Sequence, residues 1–510
     1  MTAPLPPVHA SIVAMLDDTA AEFGDRAALI EGEVTLTYRA LRQCVAGLAQ
    51  EIASRVPPGE RVVTVLGNSL LAAAAPYAIA GAGGVHVPLN PLYTARELGI
   101  MLEDAAPALV LADEGLLPTL QPLASCPLLP ASQLAARLDD WRRDTALATA
   151  GLAHPHSDSI ALLQYTGGST GRPKGVQLTH RAINSNIAQR EALLPVARGV
   201  ERVLCVMPLF HSYAMAMGLF LCAYSGSTLV ILRGYHPERV LDAIERERIS
   251  IFPGSPTLFV GLMACGRFQA TDFRRVHTCY SGSAALSAET LQRWESATGS
   301  RVFEGYGQTE AGPVLSFNPL HGTSKIGSVG IPVPETELQI VDVETGTRVL
   351  PARERGEIRA RGPQLMAGYR NLPGETRESL REGWLYTGDI GELDEDGYLF
   401  IRDRKKDLVI VGGYNVYPRE IEEVLYTHPQ VREAAVVGQP DAYRGEVLRA
   451  FVALRPDSTA TPQALLDYCR PQLAKYKLPA TVEILAELPK TSVNKIDKKP
   501  LRQRPPASTP

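Results

Sequence analysis

Residues 165–180 read Tyr165-Thr-Gly-Gly-Ser-Thr-Gly-Arg-Pro-Lys-Gly-Val-Gln-Leu-Thr-His180 and hold four glycines, four small hydroxyls and one lysine. Glycine lets the main chain approach a ligand closely and turn several N–H groups toward it; Gly167, Gly168 and Gly171 offer this here. Thr166, Ser169 and Thr170 add hydroxyl donors, and Lys174 adds a point charge. The combination suits a polyphosphate, and a plain surface turn is the competing reading. It is not a Walker A loop, because Pro173 precedes the lysine and no Ser or Thr follows it. Other segments carry comparable chemistry. In Tyr306-Gly-Gln-Thr-Glu310 an aromatic face can stack on a purine, a hydroxyl can meet a phosphate, and a carboxylate can hold Mg²⁺. In Tyr386-Thr-Gly-Asp389 an ionised carboxylate can accept two hydroxyl hydrogen bonds. Taken singly, the plainer readings compete: a buried Tyr306, a surface Glu310, a turn aspartate at 389, and solvated lysines between 490 and 499.

These residues need elements to hold them. Apolar residues recur at helical spacing over 8–23, 39–56, 95–104, 179–194 and 237–248. Short, largely apolar runs at 61–66, 85–89, 108–112, 160–164, 203–207 and 228–232 suit buried strands, and 277–281 and 301–306 read as strands running into polar turns. Strand–helix alternation predicts an α/β fold of layered parallel sheets, whose chemistry gathers at the carboxyl ends of the strands. Residues 120–158 read as an irregular connection, and 384–391 as a strand ending in a turn. Between 329 and 360 short strands alternate with Gly/Pro turns, as in a small antiparallel barrel. The charged run Arg402-Asp-Arg-Lys-Lys-Asp407 marks a domain junction. Beyond it the pattern predicts a small α+β domain.

With 510 residues, 45% hydrophobic and 21% charged, the chain is long enough for about three core units. A net charge of −4 favours neither nucleic acid nor an anionic membrane as partner. Seven dispersed cysteines without a Cys-x-x-Cys pair argue against a disulfide framework and for a reducing, cytoplasmic setting. The start, Met1-Thr-Ala-Pro-Leu-Pro-Pro, has no signal-peptide pattern. The longest apolar stretch, 70–85, is Ala/Gly-rich with Pro76 inside and reads as a buried helix, not a transmembrane span.

Six segments between 165 and 498 resemble, in order, the motifs of the adenylate-forming superfamily, which includes the acyl-CoA synthetases. Gly167 and Asn494 depart from the family pattern, standing where a serine and a glycine are usual. The resemblance implies a division into residues 1–402, a hinge at 403–406, and a mobile domain at 407–510. It places the phosphates of ATP on Thr166, Gly167, Gly168, Ser169, Thr170, Gly171 and Lys174. Ser281, Gly282 and Ser283, with Glu304, Gly305, Tyr306 and Gly307, would surround the adenine, while Asp389 and Arg404 take the ribose. Thr309 would meet the α-phosphate, and Glu310 with Thr170 the Mg²⁺. Lys495 takes the catalytic position, His211 gates the acid and thiol, and Lys406 is the hinge. Gly412, Gly413 and Tyr414 would line a tunnel for coenzyme A. Tyr213, Met215, Ser255 and Val314 would join His211 in the acyl pocket. The implied activity is ATP-dependent ligation of a carboxylic acid to coenzyme A through an acyl-adenylate. A medium- or long-chain fatty acid is the expected acid; an aryl or polycyclic acid, or transfer to a carrier protein, is the alternative. Homodimerisation is left open.

Overall fold

Strands that are apolar on both faces need cover on both sides, which parallel sheets with flanking helices provide. Leu109–Ala112, Thr228–Ile231, Ile251–Gly254 and Thr278–Ser281 are buried along their whole lengths. The computed structural model describes residues 5–166, 173–411, 414–441, 445–491 and 495–505. Its nine-stranded sheet runs Ile331–Pro332, Val314–Phe317, Arg301–Gly307, Thr278–Ser281, Ile251–Gly254, Arg202–Cys205, Thr228–Ile231, Ala27–Glu31, Val34–Thr37. The strands from Arg301–Gly307 to Ala27–Glu31 are parallel, and the outer ones antiparallel.

A seven-stranded sheet runs Gly368–Tyr369, Lys174–Thr179, Ile160–Thr166, Val85–Pro88, Arg61–Val65, Leu109–Ala112, Leu128–Pro130. The two large sheets share one continuous core with the helices Ile12–Phe23, Tyr38–Ala53 and Leu70–Gly81. Leu70–Gly81 is the Ala-rich helix, and every residue in it except Ala72 is buried. No helix among the described residues is long and apolar enough to cross a membrane.

The antiparallel sheet after residue 336 consists of Glu337–Val341, Gly356–Arg361, Trp384–Leu393, Leu380–Arg381 and Leu399–Arg404. It has its own small core around Ile340, Ile358 and Leu399. A last sheet, Tyr414–Val416, Val409–Val411, Gly445–Leu454, Val431–Asp441 and Thr481–Ile484, buries apolar clusters on both faces. Helices Pro418–Tyr426 and Pro462–Cys469 cover one face, and Lys498–Gln503 the other.

Three local expectations are corrected. Residues 120–158 are not merely a connection: they supply the edge strand Leu128–Pro130 and the helix Ala131–Trp141, which buries Leu134, Leu138 and Trp141 at helical spacing. The glycine-rich stretch resumes as a strand at Lys174, where Val176 and Leu178 pair with Gln164 and Leu162. The strand Trp384–Leu393 continues through Thr387-Gly388-Asp389, because Leu399–Arg404 gives that segment a partner with Asp389 opposite Arg404.

Trp294 is fully buried among Phe259, Phe268, Phe273 and Phe252, with ring centroids 4.7, 5.6, 5.7 and 6.0 Å away. Truncating a buried aromatic leaves a cavity that its neighbours fill only partly. Trp294→Ala is expected to destabilise this domain by about 3–5 kcal/mol, read as a lowered urea midpoint; an unchanged midpoint would contradict the packing described.

Candidate active site

The parallel strands Ile251–Gly254, Thr278–Ser281 and Arg301–Gly307 are in register at Gly254, Ser281 and Glu304. Their carboxyl ends therefore deliver Ser255, Ser281–Ser283 and Tyr306 to one edge of the sheet. Ser283 adopts φ +70°, a left-handed conformation that costs a non-glycine residue free energy and is concentrated at functional turns. Gly282 lies against the Tyr213 ring so closely that a Cβ would come within 2.7 Å of it. Gly307 has a similar constraint, since a Cβ there would meet the Pro313 carbonyl at 1.8 Å. Gly305 packs against the Phe317 ring in the same way.

His211 follows the strand Arg202–Cys205 and caps a continuous helical segment, Ser212–Ala214, Met215–Phe220 and Leu221–Ser225. The middle piece is a π-helix, a form frequent at functional sites. Gln164 ties this loop to the seven-stranded sheet by donating to the Phe210 carbonyl at 3.1 Å. His211 Nδ1 accepts from the Tyr213 N–H at 3.2 Å. Burial, reinforced by the charge of Lys495, pushes its pKa down to about 3, so the ring is neutral and its proton sits on Nε2. The Ser212 hydroxyl lies 3.2 Å from that of Thr309, joining the His211 loop to the Tyr306–Glu310 turn.

Tyr306 donates its hydroxyl proton to Asp389 Oδ2 at 2.7 Å, and Arg404 Nε lies 3.6 Å from Oδ1. Burial raises the Asp389 pKa, opposed by Arg404, the Tyr306 hydroxyl and Lys495. Lys495 is drawn from the C-terminal domain into this cluster. Burial and then Arg404 lower its pKa to about 8, while Asp389 pulls the other way. Lys406 is exposed two residues beyond Arg404, with its pKa lowered first by partial desolvation and then by Arg404.

Glu310 accepts from the Tyr369 hydroxyl at 3.0 Å and the Thr166 hydroxyl at 3.4 Å. Burial raises its pKa. A partly buried carboxylate that accepts from two hydroxyls is a fitting ligand for a hard divalent cation, and Mg²⁺ characteristically combines one such carboxylate with substrate phosphates. The described residues offer no cluster of three or more His, Cys, Asp or Glu that could replace those phosphates. Lys174 Nζ lies 2.5 Å from Glu375 Oε2 and 4.9 Å from the centre of the Tyr369 ring. Tyr369 thus stands between Lys174 and Glu310.

Sequence reasoning missed Gln164, Ser212, Tyr369 and Glu375, which act through contacts across 46 to 201 residues of chain. Among the expected residues, the Glu304 carboxyl is turned inward to accept from the Leu286 N–H at 2.8 Å, and burial raises its pKa to about 8. Tyr213 is buried and donates toward the Gly254 and Tyr280 carbonyls at 3.2 and 3.1 Å. Met215 is buried in the π-helix, and Val314 is held by Asn186 through both main-chain groups. The hydroxyls of Ser255 and Ser281 are buried without a hydrogen-bond partner among the described residues. Tyr414 is exposed and stacks on Tyr476 at 4.7 Å, within the C-terminal domain. Gly167, Gly168, Ser169, Thr170, Gly171, Gly412, Gly413 and Asn494 lie outside the described residues.

The family model of AMP-binding enzymes matches residues 16–370, and that of their C-terminal domain residues 420–495. The chain belongs to the AMP-binding enzyme family. It is 38% identical to a long-chain-fatty-acid–CoA ligase of Bacillus subtilis (strain 168), over 96% of this chain and 94% of that one. A feruloyl-CoA synthase of Amycolatopsis sp is 37% identical, over 94% and 95%. The ATP-bound structure of MatB from Rhodopseudomonas palustris superposes with a TM-score of 0.89 at 30% identity, over 97% and 98%. The expected α/β fold and acyl-CoA ligase class are borne out: this is an AMP-forming acyl-CoA synthetase that uses ATP, Mg²⁺ and coenzyme A.

Two outcomes follow for the ligase. The cationic form of Lys495 is present below its folded pKa and lost above it, and kcat/KM reports the free enzyme. The kcat/KM for ATP in adenylation should therefore fall above pH 8 or so; a flat profile to pH 10 would contradict a cationic role. Glu375→Gln removes the anion that pairs with Lys174. The KM for ATP should fall roughly five-fold, as expected for an ion pair of about 1 kcal/mol; a rise would show that Glu375 orients the lysine instead.

Proposed function

We propose that the ligase activates a medium- or long-chain fatty acid. The observation that carries this reading is the wholly buried segment Met215–Phe220, in the helical segment that His211 caps, which offers the acyl chain apolar side chains and no charge. The 38% identity to a long-chain-fatty-acid–CoA ligase supports it. An aryl acid is the second reading, supported by the unpartnered hydroxyls of Ser255 and Ser281, which would suit ring substituents bearing oxygen, and by the similar identity to a feruloyl-CoA synthase.

In the first step the acid's carboxylate oxygen bonds to the α-phosphorus of ATP. The bond from that phosphorus to the β-phosphate oxygen breaks, and pyrophosphate leaves. Two anions meet in this step, and the Lys495 cation offsets their repulsion in a site that excludes water. Tyr306 stacks on the adenine, Asp389 and Arg404 hold the ribose, and Thr309 donates to the α-phosphate. Thr166 and Lys174 take the β- and γ-phosphates together with residues 167–171. Glu310 would hold Mg²⁺, which neutralises phosphate charge when bound. In the second step the thiol sulfur attacks the acyl carbonyl, the bond to the AMP oxygen breaks, and the thiol proton passes to solvent. Neutral His211 shapes this approach.

Between the steps, residues 407–510 pivot about 403–406 relative to 1–402, with Lys406 as the hinge residue. The pivot withdraws Lys495 and brings in Gly412, Gly413 and Tyr414 to line the thiol's path. Such gating by domain reorientation lets one site serve two chemistries. The unpaired cysteines, five of them buried, support a reducing cytoplasmic setting; a homodimer is part of the proposal for this setting.

Adenylate formation is measured by ATP–pyrophosphate exchange, and thioester formation from preformed acyl-adenylate. Lys495→Ala should lower exchange at least 100-fold, a loss of about 3 kcal/mol of transition-state stabilisation, and leave the second reaction within a few-fold. Equal losses would contradict the assignment. Across acetate to palmitate and cinnamates, coenzyme A-dependent AMP release should peak with aliphatic acids of eight or more carbons; a peak with cinnamates would select the aryl reading.

A further inference from the structure

The amino-terminal edge of the nine-stranded sheet, opposite the catalytic edge, carries a groove of about 690 Å³. The starts of three adjacent strands form it, at Arg202, Ser250 and His277, with the end of the helix Pro237–Arg246 and the turn at Arg274 and Arg275. Five arginines line it: Arg202, Arg246, Arg248, Arg274 and Arg275. In a chain of net charge −4 this is a local reversal of sign.

The acids nearby are already engaged. Glu201 accepts from His277 at 3.0 Å. Glu247 pairs with Arg202 at 2.8 Å and with Arg246 at 2.9 Å. Asp272 pairs with Arg274 at 2.6 Å. Arg248 and Arg275 are exposed and make no ion pair or side-chain hydrogen bond among the described residues. The backbone of Arg248 is at φ +53°, where Gly or Asn would sit with less strain. Arg248, at this strained turn, thus lines the groove together with a second arginine that makes no ion pair. Guanidinium groups match phosphate oxygens in geometry and charge, and the volume lies within the range of small-ligand sites.

We propose that this groove binds a phosphate-bearing anion, with Arg248 and Arg275 as its principal cations, at a site separate from the catalytic one. The bound group is either a free phosphate compound or the headgroup of an anionic lipid, and the two are distinguished below.

The probes are inorganic pyrophosphate, titrated calorimetrically into the full chain, and vesicles of phosphatidylglycerol compared with phosphatidylcholine. The variant is Arg248→Asn with Arg275→Gln, both at exposed positions outside the catalytic machinery. Its ATP–pyrophosphate exchange should equal that of the unaltered chain, which also shows that it folds. Arg96→Gln with Arg143→Gln, exposed and outside the groove, is the charge-matched control. The unaltered chain and the control should bind one more pyrophosphate per chain than the variant, or the variant should weaken that site at least ten-fold. Loss of pyrophosphate binding alone assigns a soluble phosphate compound. Loss of phosphatidylglycerol-vesicle binding, with or without that of pyrophosphate, assigns a lipid headgroup. Identical behaviour of variant and unaltered chain with both probes, or an equal loss in the control, overturns the proposal.

Discussion

Asp389 is a carboxylate taken out of water at the point where three parts of the chain meet. It lies on the small antiparallel sheet, opposite Arg404 on the neighbouring strand, and accepts from Tyr306 on the nine-stranded sheet. Lys495 of the C-terminal domain acts on it through charge. Burying such a group without partners would cost several kcal/mol, so its neighbours are constrained in position and sign. The tyrosine hydroxyl must point at it, one cation must stand beside it permanently, and a second can come and go. Arg404 is covalently part of the same sheet, whereas Lys495 arrives from a separate folding unit with its own core.

The domain pose that delivers Lys495 is held by a few partly exposed contacts. Arg355 bridges Glu392 and Glu420, and Arg455 reaches Glu289 at 2.5 Å. Pairs of this exposure contribute about 1 kcal/mol or less each. The Arg419 N–H adds a hydrogen bond to Asp403 at 3.0 Å, and burial raises the Asp403 pKa to about 6. A pose held by several small terms is compatible with the proposed pivot, whereas the large shared core of the two big sheets is not. The placement of chemistry at the carboxyl edges, away from that core, follows from the same division.

Much of this was legible before any coordinates. The strands at 160–164 and 203–207 carry apolar runs, those at 277–281 and 301–306 run into polar turns, and the candidate site residues stand at or just after their ends. The pairing of Tyr306 with Asp389 was not legible, because it spans 83 residues and depends on a strand, Leu399–Arg404, whose charged end reads as a domain junction. The same partner hid the continuation of Trp384–Leu393 past Gly388. Tyr369 and Glu375 carry no motif of their own; they matter because Gly368–Tyr369 adds to the edge of Lys174–Thr179 and so brings them beside Lys174. Glu304 illustrates the converse. The resemblance places it around the adenine, and the structure shows its carboxyl turned inward to accept from the Leu286 N–H.

The central claim is that Lys495, from one domain, shares a buried electrostatic environment with Asp389 and Arg404 from another. The direct measurement is an NMR titration of the Lys495 side chain in the ligand-free chain, with ¹³C-labelled lysine and Lys495→Arg to assign the signal. The account predicts a pKa near 8, lower still in Asp389→Asn and higher in Arg404→Gln. A value near the ordinary 10.5 of lysine, unmoved by either substitution, would contradict it.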